Sequence, residues 1–322
     1  MIFVHEDPEF RDLLRIVADE VGINPALVEK DYWVTHTLWA LLDSGLEVWF
    51  KGGTSLSKGF GIIERFSEDL DLYVEPGEAS QLPAIASWKS MNKGPIARRH
   101  RFFEKLETVI RVPQASLYMD RTLLDKRART ANYRVEYPGL FLSDLGSAFR
   151  PFVLLEIGAA RVTPCIPKNL RSFVHDWLAE TRQLSGYIEN LPLGVRCVHP
   201  IVSLLEKLDA ISRRYPRRPV DPASFIRHYE DAARIIETAN DLPPLGMRID
   251  ELVDEMLGEK HLAHPPDARD AAFTLTDEES RRFLLQAHRS IAPMFWGRRH
   301  SLDEACRIIR SWLSSTAKMA AE

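Results

Sequence analysis

Asp69 and Asp71 stand two residues apart in Asp69-Leu70-Asp71-Leu72-Tyr73-Val74, where polar and apolar residues at first alternate. That period marks a β-strand, so both carboxylates leave one face while Leu70 and Leu72 point into the core. Neighbouring carboxylates repel unless a cation neutralises them. A hard divalent ion, Mg²⁺ or Mn²⁺, takes carboxylate oxygens together with phosphate oxygens, and this pair supplies the first half of such a shell. Upstream lies Lys51-Gly52-Gly53-Thr54-Ser55-Leu56-Ser57-Lys58. Glycines let the backbone approach an anion, amides at a helix N-terminus bind phosphate, and Thr54 and Ser55 add hydroxyl donors. One motif would hold a triphosphate and the other the metal that bridges it, the division phosphoryl transfer needs. Each motif alone has a plain reading, a common glycine turn or a solvated strand edge. Their order and spacing together are far more specific.

The elements around these residues read as an α/β fold. Asp7 to Ala18 is a short amphipathic helix, and Asn24-Pro25 opens a longer one to about Leu42, with Asn24 as N-cap. Val48-Trp49-Phe50 is a buried strand entering the glycine turn, and Thr54-Ser55 caps a helix to about Ile63. Ser87 to about Val112 is helical and basic, interrupted at Gly94-Pro95, while Tyr133–Tyr137 and Phe152–Ile157 are β-rich. Strands interleaved with helices imply one mixed sheet with flanking helices. From His199-Pro200 onward strand signals stop. Helices follow over 201–215, 221–238, 249–257, 277–291 and 302–313, with prolines between several of them. The expected division is a core over residues 1–195 and a helical lobe over 196–322, with the active site in the cleft between them.

Composition excludes several classes. The 322 residues are 45% hydrophobic and 27% charged with a net charge of −4, so nucleic acid would have to be met by a local basic patch. Cys165, Cys197 and Cys306 are widely spaced and suggest neither a disulfide framework nor a zinc site. The N-terminal residues do not read as a signal peptide, and no run approaches the ~18 apolar residues of a membrane span. A cytoplasmic protein without membrane contact is expected.

The glycine turn, short helix and Asp-x-Asp strand resemble the nucleotidyltransferase superfamily signature seen in DNA polymerase beta. More closely, Glu29-Lys30-Asp31-Tyr32-Trp33-Val34, then Phe50-Lys51-Gly52-Gly53-Thr54-Ser55-Leu56-Ser57-Lys58, then Arg65-Phe66-Ser67-Glu68-Asp69-Leu70-Asp71-Leu72 resemble the AbiEii nucleotidyltransferase toxins of bacterial abortive-infection and toxin–antitoxin systems. The likeness runs from about Glu29 to Ile236. It implies metal ligation by Asp69, Asp71 and Glu156, and nucleotide binding by Gly52, Gly53, Thr54, Ser55, Lys58, Arg65, Lys207 and Arg227. Lys207 and Asp231 join the carboxylates as catalytic residues.

Glu156 closes an apolar strand. It reads as a third ligand and general base, against a solvated edge carboxylate. Lys207, in a segment like the family's Lys-x-x-Ala pattern, would be a point charge on the triphosphate. Arg227 and Asp231 share a helix face, either as a surface ion pair or, by resemblance, with Asp231 in the cleft orienting Lys207 or Arg227. His228 stands where the family commonly has Asp. Arg98–Arg101 and Lys126–Arg129, interleaved with Phe102, Phe103, Tyr118 and Tyr133, are either solvated faces or an RNA-tracking patch with stacking rings. Arg213-Arg214 and Arg217-Arg218 could extend that patch.

The expected reaction transfers a nucleoside monophosphate from a triphosphate to an acceptor hydroxyl. By resemblance the acceptor is the 3′ end of tRNA, and a cognate antitoxin is a partner. Rival readings are nucleotidyl or phosphoryl transfer to a protein, and a non-catalytic module binding nucleic acid or a partner protein.

Overall fold

A computed structural model describes residues 1–319 apart from 68, 79–80, 125, 147–148 and 218–220. Glu68 of the aspartate motif and Arg218 of the basic runs lie outside the described residues. The chain forms two compact units. One comprises 1–59, 67–160 and 166–197, and the other 60–66, 161–165 and 198–322. Two short segments from before residue 195 thus cluster with the helical part.

The first unit is built on a sheet. Among the described residues its strands are β1 (Glu47–Lys51), β2 (Asp69–Glu75), β3 (Ser116–Met119), β4 (Thr130–Glu136), β5 (Val153–Gly158), β6 (Cys165–Lys168) and β7 (Val195–Val198), in the order β3-β4-β5-β2-β1-β7-β6. The end residues Cys165 and Val198 cluster with the second unit. β2 runs antiparallel to β1 and parallel to β5, so the sheet is mixed, as its interleaved pattern implied. The helices of this unit are α1 (Phe10–Val21), α2 (Pro25–Asp43), the single turn α3 (Gly52–Thr54), α4 (Lys93–Val109) and α5 (Phe173–Glu180). The interruption expected at Gly94-Pro95 is instead the first turn of α4, where a proline needs no amide partner. The strands β3, β6 and β7 and the helix α5 were not legible in the sequence.

α2 opens as its sequence dictates, with Asn24 Oδ1 accepting from Ala26 N at 2.8 Å and Pro25 in the first turn. It is buried almost all round, packing on β1, β5, α1 and α5. A helix buried on every side must find partners for its polar groups. Tyr32 and His36 do so through Asn190, which donates to the Tyr32 hydroxyl at 3.1 Å and to His36 Nδ1 at 2.9 Å. The Asn190 carbonyl oxygen meets His175 Nε2 at 2.8 Å. His5 Nδ1 reaches the same Tyr32 hydroxyl at 2.8 Å.

Burial pushes all three imidazoles down from their ordinary value near 6.5, His5 and His175 to about 4 and His36 to about 3. The folded state therefore holds them neutral where the unfolded chain would take up protons. Stability from this cluster is complete above pH 6.5 and falls as pH drops from there toward 4. The melting temperature should decline across that window, less steeply in His36→Gln. A flat profile from pH 7 to 5 contradicts this reading.

The second unit is helical: α6 (Pro200–Arg214), α7 (Pro222–Glu237), α8 (Ile249–Gly258), the short α9 (Ala271–Thr274), α10 (Glu278–Ser290) and α11 (Leu302–Met319). α7 is its centre, packed by α6, α10 and α11. Prolines open α6 and α7 behind the caps His199 and Asp221. Among the described residues no helix is long and apolar enough to cross a membrane.

Candidate active site

β1 buries Val48 and Phe50 and ends at Lys51, and the next residue, Gly52, has a φ of +75°, a left-handed conformation that glycine adopts without strain. The chain turns there into α3 and a wider turn over Ser55–Gly59. The helix expected from Thr54 to Ile63 thus begins two residues earlier and stops at Gly59, with Gly61 also at positive φ. Two turns of amides, rather than a long helix dipole, face any anion at this loop.

Thr54 does not cap a helix. Its hydroxyl donates to Asp69 O at 2.6 Å and approaches Ser67 O at 3.1 Å, tethering the glycine loop to the start of β2. Ser55 Oγ is buried with no hydrogen-bond partner among the described residues, a deficit worth about 1–3 kcal/mol.

β2 carries Asp69 and Asp71 half-buried on one face while Leu70 and Leu72 are fully buried on the other. Register aligns Lys51 of β1 with Asp71, and Asp71 with Glu156 of β5, so the three form a row across adjacent strands on that face. Glu156 is exposed. The glycine bend lies against Asp71: a Cβ added at Gly52 would fall 1.7 Å from Asp71 Oδ2. Gly52→Ala therefore combines a disfavoured φ with a collision at the carboxylate. It should lower the melting temperature and cost transfer activity, while Gly61→Ala, also at positive φ but in open space, carries only the backbone penalty. Equal activity in the two variants contradicts the contact.

The donors Asp69, Asp71 and Glu156 are hard carboxylate oxygens, the chemistry Mg²⁺ or Mn²⁺ takes, so the residues fit. Among the described residues, however, no three His, Cys, Asp or Glu side chains are gathered into a preformed metal cluster. Arg150 Nη1 sits 2.5 Å from Asp69 Oδ1. The carboxylate pair is thus partly neutralised by the protein itself, and mutual repulsion alone does not demand a metal.

Arg150 and Lys51 were not singled out by sequence reasoning. Counting the strand period through Phe50 would have put Lys51 on the aspartate face. Nothing local marks Arg150, which lies 81 residues from its partner.

The Glu29-Lys30-Asp31 segment of α2 buttresses the site. Glu29 accepts from the amides of Leu140 and Phe141 at 2.6 and 2.9 Å. Lys30 Nζ donates to the carbonyls of Arg150 and, at 3.0 Å, Phe152, fixing the chain that carries Arg150 into β5. Asp31 pairs with Lys58 at 2.5 Å and accepts from Phe173 N at 2.9 Å. Lys58, expected at the nucleotide, thus holds the end of the glycine loop to α2.

In the second unit Asp231 of α7 is fully buried. Arg65 Nε and Nη2 donate to its two oxygens at 2.9 and 2.8 Å, and Lys207 Nζ of α6 donates at 2.8 Å. Burial alone would push this carboxyl up. The Arg65 and Lys207 charges and their hydrogen bonds outweigh it and hold Asp231 well below the usual carboxylate range. Asp231 thus holds the Lys207 ammonium and the Arg65 guanidinium together. Arg227 is half-buried on the same helix. Burial, then the nearby Lys207 charge, push the neighbouring His228 imidazole well below its ordinary value. In the basic runs Phe102, Phe103 and Tyr133 are buried and cannot stack on bases, while Tyr118 is half exposed.

A mixed sheet carrying paired aspartates against a glycine bend, with helices around it, defines a nucleotidyltransferase-like architecture. The family described as "Nucleotidyl transferase AbiEii toxin, Type IV TA system" matches residues 39–305, and the chain belongs to it. It is a nucleotidyltransferase of this toxin family. The match leaves Glu29–Val34 outside and extends well past Ile236. No curated protein matches the chain.

Proposed function

We propose that the chain transfers a nucleoside monophosphate from a nucleoside triphosphate to an acceptor hydroxyl, releasing pyrophosphate, with Asp69, Asp71 and Glu156 as ligands for Mg²⁺ or Mn²⁺. The observation that carries the proposal is the contact between Gly52 and the Asp71 carboxylate, on the face shared with Asp69 and Glu156. A bound divalent ion would supply charge neutralisation at the phosphates. The amides of Gly52 and Gly53 and the unsatisfied Ser55 hydroxyl would bind phosphate oxygens, while Thr54 and Lys58 hold the loop in shape. Lys207, oriented by Asp231, is assigned to the triphosphate on the family's Lys-x-x-Ala pattern, and Arg65 and Arg227 belong with it. Glu156 would take the proton of the attacking hydroxyl. The oxygen–phosphorus bond to the acceptor forms as the bond from the α-phosphorus to the bridging oxygen breaks, and pyrophosphate leaves.

By family resemblance the acceptor is the 3′ end of tRNA and a cognate antitoxin restrains the enzyme. Incubation with α-labelled triphosphates, total RNA and total protein tests this. Label in tRNA supports it, and label in protein moves the acceptor to a polypeptide. No label in either, unchanged by Asp69→Ala, would leave a binding module.

A further inference from the structure

A cluster of cations lies on α4, away from the carboxylate row. Arg98, Arg101 and Lys105 follow one another at intervals of three and four residues, so they share a face over about 10 Å of helix axis. Like charges at this spacing destabilise a helix unless something neutralises them. Arg98 and Arg101 are exposed and make no ion pair or hydrogen bond among the described residues. Lys105 is fastened at its tip to Gln81 O at 3.1 Å.

These cations line two adjoining pockets of about 480 and 360 Å³, which share Arg98 and Arg101. The remaining walls are apolar or neutral, among them Leu82, Pro83 and Ile85, and no carboxylate lines either pocket. Gly94 and Pro95 of the first turn of α4 complete the smaller one, and the N-cap Asn92 makes no side-chain capping bond there. Helix-terminal amides therefore add to the positive field.

Arg99 explains how this surface is held together. It is fully buried, and its guanidinium donates to the carbonyls of Ser87, Ser90 and Arg127. It thereby fixes a pocket wall at Ser87 and ties down the turn carrying the exposed Lys126, Arg127 and Arg129. That turn runs directly into β4, whose Asn132 is the register partner of Glu156, about 7 Å of strand beyond Thr130.

We infer that this face of α4, with its two pockets and the 126–129 turn, binds the phosphate backbone of a polynucleotide. Serial phosphates suit a file of cations whose pockets no carboxylate lines, and exposed rings for base stacking are not required. The face would seat the acceptor of the reaction proposed above and to that extent rests on it, but binding can be measured without catalysis.

The test is fluorescence anisotropy of a labelled single-stranded RNA with the full chain, without triphosphate, across a salt series. Arg98→Ala/Arg101→Ala should weaken binding about tenfold at moderate salt and flatten the log–log salt slope by about 1.4, the share of two phosphate contacts on a single strand. Asp71→Asn should bind RNA as the wild type does. Unchanged melting temperatures show that both variants are folded. Equal RNA affinity and slope for wild type and double variant overturn the inference. So does absence of RNA binding, or a preference for polyglutamate that the double variant loses, which would make this a surface for an acidic protein. Transfer activity does not enter the readout, so failure here is distinguishable from failure of the nucleotidyl-transfer reading.

Discussion

Asp71→Asn is expected to lower nucleotidyl transfer by about three orders of magnitude, the equivalent of about 4 kcal/mol of lost transition-state stabilisation. The substitution keeps shape and hydrogen-bonding capacity and removes one charge. Asp71 sits at the centre of the row, between Lys51 and Glu156 and against Gly52. No neighbour can take over its position without moving a strand. The fold should survive, because Leu70 and Leu72 hold β2 from the opposite face. Asp69→Asn should also impair transfer, but it additionally releases Arg150, so its melting temperature is the more informative readout. A variant at Asp71 retaining a tenth or more of wild-type activity would contradict the assignment.

Asp231→Ala is expected to be the most destabilising single change at the sites described. It leaves Arg65 and Lys207 as buried cations without their shared carboxylate, and breaking such a pair costs about 3–5 kcal/mol, a fall in melting temperature on the order of 10 °C. The pH dependence has a definite sign. The Asp231 carboxyl is depressed in the folded protein, so the unfolded chain binds the proton first. The ion-pair contribution is fully present above the unfolded value near 3.9 and is lost as pH falls below it. Acid denaturation should therefore show two regimes, a gradual loss from 6.5 toward 4 from the histidines around Asn190 and a steeper one below 4. Asp231→Ala should abolish the dependence of the second and leave the first. An Asp231→Ala protein as stable as wild type contradicts the buried-pair reading.

The aspartate strand, the glycine bend and the long helices were legible because period and capping are local signals. Asn24 caps α2, Phe50 and Leu70 mark buried strand faces, and Pro200 and Pro222 start α6 and α7. The loop after Gly53 was misread because the wide turn at Ser55–Gly59 and the positive φ of Gly61 end the helix early, and neither has an apolar period to betray it. β3, β6 and β7 were missed because four-residue strands offer too little alternation. At the site, residue types were readable but partners were not. That Thr54 serves β2, Lys58 serves α2 and Arg65 serves Asp231 follows from contacts between distant stretches of chain, and no spacing rule encodes them. The aromatics beside the basic runs were core because the 3.6-residue period turns Phe102, Phe103 and Leu106 inward together.

The most direct measurement on the carboxylate pair is electron paramagnetic resonance of Mn²⁺ titrated into the full chain with a non-hydrolysable nucleoside triphosphate analogue. Bound Mn²⁺ is expected in the wild type beyond what the analogue alone holds, with that excess lost in Asp71→Asn and in Asp69→Asn. The same excess in all three proteins, or none in the wild type, would contradict a metal–triphosphate site at Asp69 and Asp71.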